Sequence, residues 1–226
     1  MVRRLEHDLS DLKDRVLRMG SLVEDAIRKS IKALVERDRE LALAVIDGDA
    51  VVNTHDVEIE EECIRLLAIW QPTGSNLRFI TTAIKIITDL ERMGDLAVDI
   101  CERTIELLEE PQLKPYIDIP RMAEASQKML KDSLDAFVEK DADLAVKVCA
   151  ADDFVDNLNQ QIFNELLVYM LQDPKNIARA VRLTYVAKYL ERVGDHATNI
   201  AEMVVYMVKG KVIRHMACEV REPEKH

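Results

Sequence analysis

The sequence contains two copies of one pattern, and this duplication restricts the fold more than any other feature. Residues 90–102 align with residues 190–202 after a shift of 100, and eight of the thirteen positions are identical. Further upstream, a shift of 103 aligns residues 30–52 with residues 133–155 at ten identical positions. Similarity at a fixed period indicates a repeated structural unit. The three-residue difference between the shifts predicts a longer turn in the first copy, at residues 71–76.

Each copy has the pattern of three long helices. Apolar residues recur at three- and four-residue spacing between a few helix-breaking positions. Pro111, Pro115 and Pro120 cluster between the two copies and mark a connection, because proline does not fit a helix interior. Asp38 and Asp141 each follow an apolar periodic run and are interpreted as the N-caps of the next helices. In the third helix the apolar face consists of Ile86, Leu90, Met93, Ala97, Ile100, Thr104 and Leu107.

The sequence therefore predicts an all-α protein of two tandem, similar three-helix bundles with six long antiparallel helices. Composition agrees, because aromatic residues make up only 4% and glycine and proline number six each. The expected domains are residues 1–113 and 114–226. The expected helices are residues 4–36, 39–69, 76–109, 118–139, 142–172 and 175–209, followed by an undetermined tail.

Charge and cysteine pattern argue against several classes of function. The formal net charge of −11 disfavours nucleic acid as a partner. None of the four cysteines forms a CxxC pair or a zinc-knuckle spacing, and they are expected as buried thiols in a reducing compartment. Without an apolar leader or a long uncharged apolar stretch, a cytoplasmic protein is expected. No phosphate loop, nucleophile elbow or Cys/His dyad occurs, so the chain is not expected to be an enzyme.

The candidate functional residues are carboxylates on the third helix of each copy and on the helix before it. At about 100° per residue, those of the first copy's third helix fall within about 80° of one another, roughly opposite the apolar face. They are Glu91, Asp95, Asp99 and Glu102, with Glu191, Asp195, Asn199 and Glu202 in the second copy. The preceding helices carry Asp49, Asn53 and Asp56, and Asp152, Asp156 and Asn159.

Two interpretations of these carboxylates remain open, a metal site and a solvated acidic face. Like charges four residues apart destabilise a helix by roughly 0.2–0.5 kcal/mol, so their repetition in both copies needs compensation. Arg92 and Arg192 supply part of it. Gly94 and Gly194 each cost roughly 1 kcal/mol within a helix and indicate the close approach of a packed helix.

The chemistry of these side chains narrows the choice of metal. An oxygen-only ligand set suits Mg, Mn, Ca or ferric iron better than zinc or copper. A stripe of four carboxylates has room for more than one ion. The Glu-x-x-His spacing of di-iron bundles is missing from both copies, which disfavours a ferritin-like oxidase. His55 and His196 are not matched between the copies and are expected in ordinary surface or boundary positions.

Residues 90–102 and 190–202 resemble the PhoU family of phosphate-uptake regulators, and Gln71-Pro72, Leu77-Arg78 and Met19-Gly20 extend the resemblance. It implies two three-helix bundles side by side with multinuclear metal clusters on their surface, expected to contain iron, with Mn, Mg or Zn as alternatives. It also implies a regulator that restrains the phosphate ABC transporter and its sensor histidine kinase when phosphate is abundant. Such a protein is expected to be peripheral to the membrane, and a homodimer is among the expectations.

Carried over position by position, the family's E(D)xxxD motif falls on Glu91 with Asp95, on Glu191 with Asp195 and on Asp152 with Asp156. In the first copy the matching site departs from the motif, because Asp49 is followed by Asn53. In the second copy, Asn199 stands where the first copy has Asp99. The two clusters are therefore expected to differ in metal affinity or in the number of ions that they hold. Two alternatives are retained, a ferritin-like iron-storage bundle and a metal-free helical adaptor. The candidate metal ligands are Glu91, Asp95, Asp99, Asp49, Glu191, Asp195, Asp152 and Asp156.

Overall fold

The computed structural model describes residues 2–210. Within that range the chain forms six long helices and one 3₁₀ turn, Pro174–Asn176, and contains no strand. This confirms the predicted all-α fold. The helices are α1 Val2–Glu36, α2 Arg39–Trp70, α3 Gly74–Leu108, α4 Asp118–Glu139, α5 Ala142–Gln172 and α6 Ile177–Lys209.

The helix boundaries agree with the sequence prediction to within two residues at every helix end. Asp38 caps α2 by accepting a bond from the Leu41 amide at 3.0 Å, and Asp141 caps α5 in the same way. Helix α3 begins earlier than predicted, at Gly74. Helix α6 begins later, because Asp173 accepts from the Lys175 amide and holds residues 174–176 in a 3₁₀ turn.

Each repeat packs its three helices around a buried apolar face. Helices α1, α2 and α3 contact one another, and α4, α5 and α6 do the same. All seven positions of the predicted apolar face of α3 are buried. The two interiors join into one hydrophobic core, because α3 packs against α6 and α1 packs against α4.

Helices α3 and α6 run antiparallel at the junction between the repeats. Near the start of α3, Arg78 Nε donates to the Met207 carbonyl at 2.9 Å. Near its end, Glu106 Oε2 accepts from Arg182 Nε at 2.7 Å. These contacts join opposite ends of the two helices, so the repeats are related approximately by a two-fold axis.

Two further contacts close the junction between the repeats. Phe79 of α3 stacks on Phe137 of α4 with ring centroids 5.0 Å apart. Gly20 of α1 lies so close to α4 that a Cβ atom there would come within 2.4 Å of Leu134 Cδ1. The repeats therefore interlock through close packing as well as through ion pairs.

Residues 109–117 connect the repeats without forming a long helix, and the expected domain border falls among them. Arg37 Nη2 donates to the carbonyls of Leu108 and Glu110 at 3.1 and 2.8 Å, which satisfies acceptors at the end of α3. Lys114 is almost fully buried and pairs with Glu165 of α5. The connection is thereby held against both bundles.

The cysteines that the structure describes lie within helices. Cys63 and Cys101 are buried, and burial raises the pKa of each thiol to about 12. Cys149 is partly buried. Cys218 and the predicted tail lie outside the described residues.

Candidate metal centres in two interhelical grooves

The first groove lies between α2 and α3 and carries Asp49 and Asp56 on α2 and Glu91 and Asp95 on α3. Asp49 reaches across to Gly94. A Cβ atom added at Gly94 would lie 3.2 Å from Asp49 Oδ1, so the glycine leaves room for this carboxylate against the backbone of α3. The other oxygen, Asp49 Oδ2, accepts a bond from Asn53 Nδ2 at 2.7 Å.

The carboxylates of the first groove repel one another. Burial raises the pKa of Glu91, and the nearby charges of Asp95, Asp56 and Asp49 raise it further. Burial and the charge of Asp95 likewise raise the pKa of Asp49. Arg92 offsets part of the repulsion, since it lies 3.4 Å from Glu91 and 3.2 Å from Asp95. The groove therefore has an excess of negative charge.

The second groove lies between α5 and α6 and repeats this arrangement with Asp152, Asp156, Glu191 and Asp195. A Cβ atom at Gly194 would lie 3.2 Å from Asp152 Oδ1, the same separation as in the first groove. Asp152 Oδ1 is buried and has no hydrogen-bond partner. Burial, followed by the charges of Asp156 and Asp195, raises the pKa of Asp152 to about 6.

The other carboxylates of the second groove face the same repulsion. Burial and the charge of Glu191 raise the pKa of both Asp156 and Asp195. Lys188 forms an ion pair with Glu191 and offsets part of the negative charge, as Arg92 does in the first groove. A cation between the helices would relieve this repulsion and would give Asp152 Oδ1 a partner.

Asp99 lies beyond the first groove, where α3 meets α6. Burial raises its pKa, and the charges of Glu102 and Asp95 on its own helix raise it further, while Arg192 of α6 lowers it. Asp99 is thus placed at the edge of the carboxylate cluster, facing the other repeat.

An Asp–His contact between the repeats was not among the predicted site residues. Asp89 Oδ1 lies 2.7 Å from His196 Nδ1 and accepts a bond from Asn199 Nδ2 at 3.3 Å. His196 and Asn199 are two of the positions at which the repeats differ, so these differences place a polar contact between the repeats.

Comparison with known proteins decides the family. The PhoU domain matches the chain twice, at residues 16–104 and 119–204, with one match in each repeat. The chain belongs to the PhoU family. Two relatives named phosphate-specific transport system accessory protein PhoU homolog come from Aquifex aeolicus and Pseudomonas aeruginosa. The first is 45% identical over 94% of this chain and 96% of its own, and the second is 40% identical over 92% and 87%.

Solved PhoU structures share the whole fold. The crystal structure of PhoU from Pseudomonas aeruginosa superposes with a TM-score of 0.87 at 40% identity, covering 91% of this chain and 99% of that one. The structure of the phosphate transport system regulatory protein PhoU from Streptococcus pneumoniae gives 0.86 at 31% identity, covering 92% and 98%. The relatives are named as accessory or regulatory proteins.

The PhoU fold places the candidate ligands on the surface, while the bundle interiors are apolar. The donors fit a hard cation in chemistry, because all are carboxylate oxygens and Asp152 Oδ1 lacks a partner. In the observed side-chain conformations, no three carboxylate, histidine or cysteine groups within residues 2–210 are close enough together to hold one metal ion. Ligation would therefore require rotation of exposed side chains such as Asp95. The predicted ligand set stays a prediction.

Gly194→Ala is expected to weaken metal binding several-fold while changing the stability of the metal-free protein little. The new methyl group would push Asp152 Oδ1 away from α6, whereas alanine favours the helix by about 1 kcal/mol over glycine. Titration calorimetry with Mn²⁺ measures the first effect and urea unfolding the second. Gly48→Ala is the matched control, since nothing lies within 4 Å of that position. Equal Mn²⁺ affinity in both variants would contradict the placement of Asp152.

Asp152→Asn is expected to stabilise the metal-free protein at neutral pH. Folding raises the pKa of Asp152 from 3.8 to about 6, so the folded state holds this proton more tightly than the unfolded state. The favourable contribution of Asp152 to the free energy of unfolding is fully present below pH 3.8 and is lost as the pH rises through about 6. After allowance for solvent screening, the variant should gain on the order of 1 kcal/mol at pH 7.5 and nothing near pH 4.

Urea unfolding at the two pH values checks this expectation, and the exposed Asp47→Asn is the control. A gain that is the same at both pH values would show that burial and repulsion at Asp152 are not its cause.

Proposed function

We propose that this chain is a non-enzymatic accessory protein that regulates phosphate-specific transport through metal ions held in its two grooves. The transport role is supported by membership of the PhoU family and by the printed names of its relatives. The observation that carries the metal proposal is the doubled placement of an aspartate over a glycine, at Asp49 with Gly94 and Asp152 with Gly194. In the second groove this aspartate is half-buried, neighbouring carboxylates repel it, and its Oδ1 atom is buried without a hydrogen-bond partner.

The proposed ligands come from two neighbouring helices in each repeat. Asp49, Glu91 and Asp95 would hold metal in the first groove, with Asp99 at its edge. Asp152, Asp156, Glu191 and Asp195 would hold it in the second. A multinuclear iron cluster is our first candidate, with Mn or Mg as alternatives and Zn as a less suitable one. When bound, the metal would neutralise the carboxylates and link α2 to α3 and α5 to α6.

The proposed partners are the phosphate ABC transporter and its sensor histidine kinase, restrained when phosphate is abundant. No helix within residues 2–210 is long and apolar enough to cross a membrane. We propose that the chain acts from the cytoplasm and docks on the membrane proteins as a peripheral subunit. The net charge of −11 favours a basic docking surface on the partner. A homodimer remains part of the proposal.

Complementation of a strain lacking this chain tests the role. Wild type should restore low phosphate uptake in phosphate-rich medium, whereas Glu91→Ala/Asp95→Ala/Glu191→Ala/Asp195→Ala should leave uptake high. The matched control removes four exposed carboxylates outside the grooves, Glu6, Asp14, Glu124 and Glu139. A strain whose uptake does not respond to loss of the chain would refute the transport role. Full restoration by the groove variant would refute the role of the carboxylates.

A metal-free helical adaptor is the second candidate, favoured by the lack of a converged ligand triad within residues 2–210. In that case the acidic grooves would act as charged docking surfaces only. Pulldown of the transporter from solubilised membranes separates the candidates. Binding that a chelator abolishes supports the metal-dependent proposal, and binding that a chelator leaves unchanged supports the adaptor.

A further inference from the structure

The two grooves differ in how far the protein itself already satisfies their carboxylates. In the first groove, Asn53 Nδ2 donates to Asp49 Oδ2 at 2.7 Å. Arg92 lies across the two carboxylates of α3, with Nε 3.4 Å from Glu91 Oε2 and Nη1 3.2 Å from Asp95 Oδ2. Each of the three proposed ligands between α2 and α3 therefore has a polar or charged partner within the protein.

The carboxylates of the second groove have fewer such partners. Within residues 2–210 one ion pair reaches them, that of Lys188 with Glu191. Asp152 Oδ1 is buried without a hydrogen-bond partner, and the charge of Asp156 acts on the same carboxylate. Lys188 contacts one carboxylate, whereas Arg92 contacts two. More of the negative charge in the second groove is therefore left for a cation.

The arginine that corresponds to Arg92 has a different neighbour in the second repeat. Arg192 lies near Asp99, at the junction of α6 with α3, and its positive charge lowers the pKa of that carboxyl. The ion pair with Glu191 is formed instead by Lys188, one turn earlier on α6. The packing of α6 on α3 thus places Arg192 beside the first repeat, while Arg92 stays with the carboxylates of its own groove.

The carboxylates of α5 are also closer together than those of α2. By the repeat alignment, Asn53 corresponds to Asp156. Three residues later the exchange is reversed, since Asp56 corresponds to Asn159. The two groove aspartates of α5 are therefore about 6 Å apart along the helix, whereas Asp49 and Asp56 are about 10 Å apart. Because metal–oxygen distances are about 2.0–2.6 Å, one ion reaches both aspartates of α5 more readily than both of α2.

These differences act in the same direction on metal affinity. A cation that enters the first groove has to displace the amide of Asn53 from Asp49 and the guanidinium of Arg92 from α3. A cation that enters the second groove reaches Asp152 without displacing a hydrogen bond from its Oδ1 atom. The affinity of a carboxylate site for a hard cation is set by the charge and the freedom of its ligands.

We infer that the second groove binds metal more tightly than the first, by about tenfold or more, because Asn53 and Arg92 already hold the carboxylates of the first groove. The inference rests on the proposed metal function and assigns different roles to the two grooves. The second groove fills first and stays filled. Occupancy of the first groove then follows the supply of metal, so regulation by metal enters through the first repeat.

Titration calorimetry of the metal-free full chain with Mn²⁺ tests the inference, and wild type should show two classes of site. Glu91→Ala/Asp95→Ala should remove the weak class alone, and Glu191→Ala/Asp195→Ala should remove the tight class alone. Electron paramagnetic resonance of the free Mn²⁺ counts the bound ions independently of the heat released. Circular dichroism checks that each variant is folded.

Exchange of the residues that distinguish the grooves gives a second test. Asn53→Asp/Arg92→Gln should tighten the weak class by about tenfold, and Asp156→Asn should weaken the tight class by about as much. Arg28→Gln/Asn164→Asp is the matched control, since it makes the same change in net charge as the first-groove variant at exposed positions outside the grooves. It should leave both affinities within about twofold, because salt screens distant exposed charges.

Three results would overturn the inference. They are equal affinity of the two grooves in wild type, loss of the tight class in Glu91→Ala/Asp95→Ala, and an unchanged weak class in Asn53→Asp/Arg92→Gln. Each of them leaves the proposed metal function standing, because both grooves would still bind Mn²⁺. Absence of Mn²⁺ binding in wild type would instead refute the metal function, and the inference with it.

Discussion

Loading both grooves of the metal-free protein with Mn²⁺ is expected to raise its thermal midpoint by about 10–20 °C. A ligand present at one hundred times its dissociation constant stabilises the folded state by about 2.7 kcal/mol per site, and a chain of this size gains roughly 2–4 °C per kcal/mol. The physical cause is relief of the repulsion among Asp49, Glu91 and Asp95, and among Asp152, Glu191 and Asp195.

The same shift should be absent from Glu91→Ala/Asp95→Ala/Glu191→Ala/Asp195→Ala. Differential scanning calorimetry with and without Mn²⁺ measures it. The variant lacking Glu6, Asp14, Glu124 and Glu139 has the same change in net charge and should keep the full shift. If the groove variant shifts as much as wild type, the metal binds elsewhere or binds non-specifically.

Phe137→Ala is expected to cost about 3–5 kcal/mol in the free energy of unfolding. Phe137 is completely buried and stacks on Phe79 across the junction between the repeats. Truncation would leave a cavity where α3, α4 and α1 meet, because Gly20 and Leu134 already fix the distance between α1 and α4. Urea unfolding followed by circular dichroism measures the loss.

Phe163→Ala provides the matched control for Phe137→Ala, since it removes the same side chain from an exposed position on α5. Its effect on the free energy of unfolding should stay within about 0.5 kcal/mol. A similarly small loss for Phe137→Ala would show that the repeats do not depend on this contact and that their cores are separable.

The helices could be predicted closely because their signals are local. Apolar periodicity identified the buried face of α3, and the aspartates at positions 38 and 141 form the predicted caps. Helix α6 begins two residues later than predicted, because the side chain of Asp173 favours a 3₁₀ turn over an α-helix at Pro174. Such a choice involves small free-energy differences that spacing does not reveal.

The candidate site could be predicted in its composition but only partly in its geometry. Helical spacing placed Glu91 and Asp95 on one face, and the glycines indicated the close approach of another helix. An aspartate carboxylate occupies the space above each glycine because of the way α2 and α5 are rotated about their axes. The sequence does not determine this rotation. The structure supplied that information.

Contacts between the repeats could not be predicted, because they depend on how α3 crosses α6. Asp99 and Asp89 have similar helical surroundings in the sequence, yet one lies near Arg192 and the other pairs with His196. Both contacts follow from the antiparallel packing of the two repeats. The sequence differences at positions 196 and 199 marked this region, but without the partner helix they could not be interpreted.

Anomalous diffraction from crystals of this protein grown with Mn²⁺ or iron tests the central claim most directly. We predict anomalous peaks in both grooves, one within about 2.0–2.5 Å of a carboxylate oxygen of Asp49 or its neighbours Glu91 and Asp95, and one similarly close to Asp152. Maps with peaks only outside the two grooves, or with none at saturating metal, would contradict the account.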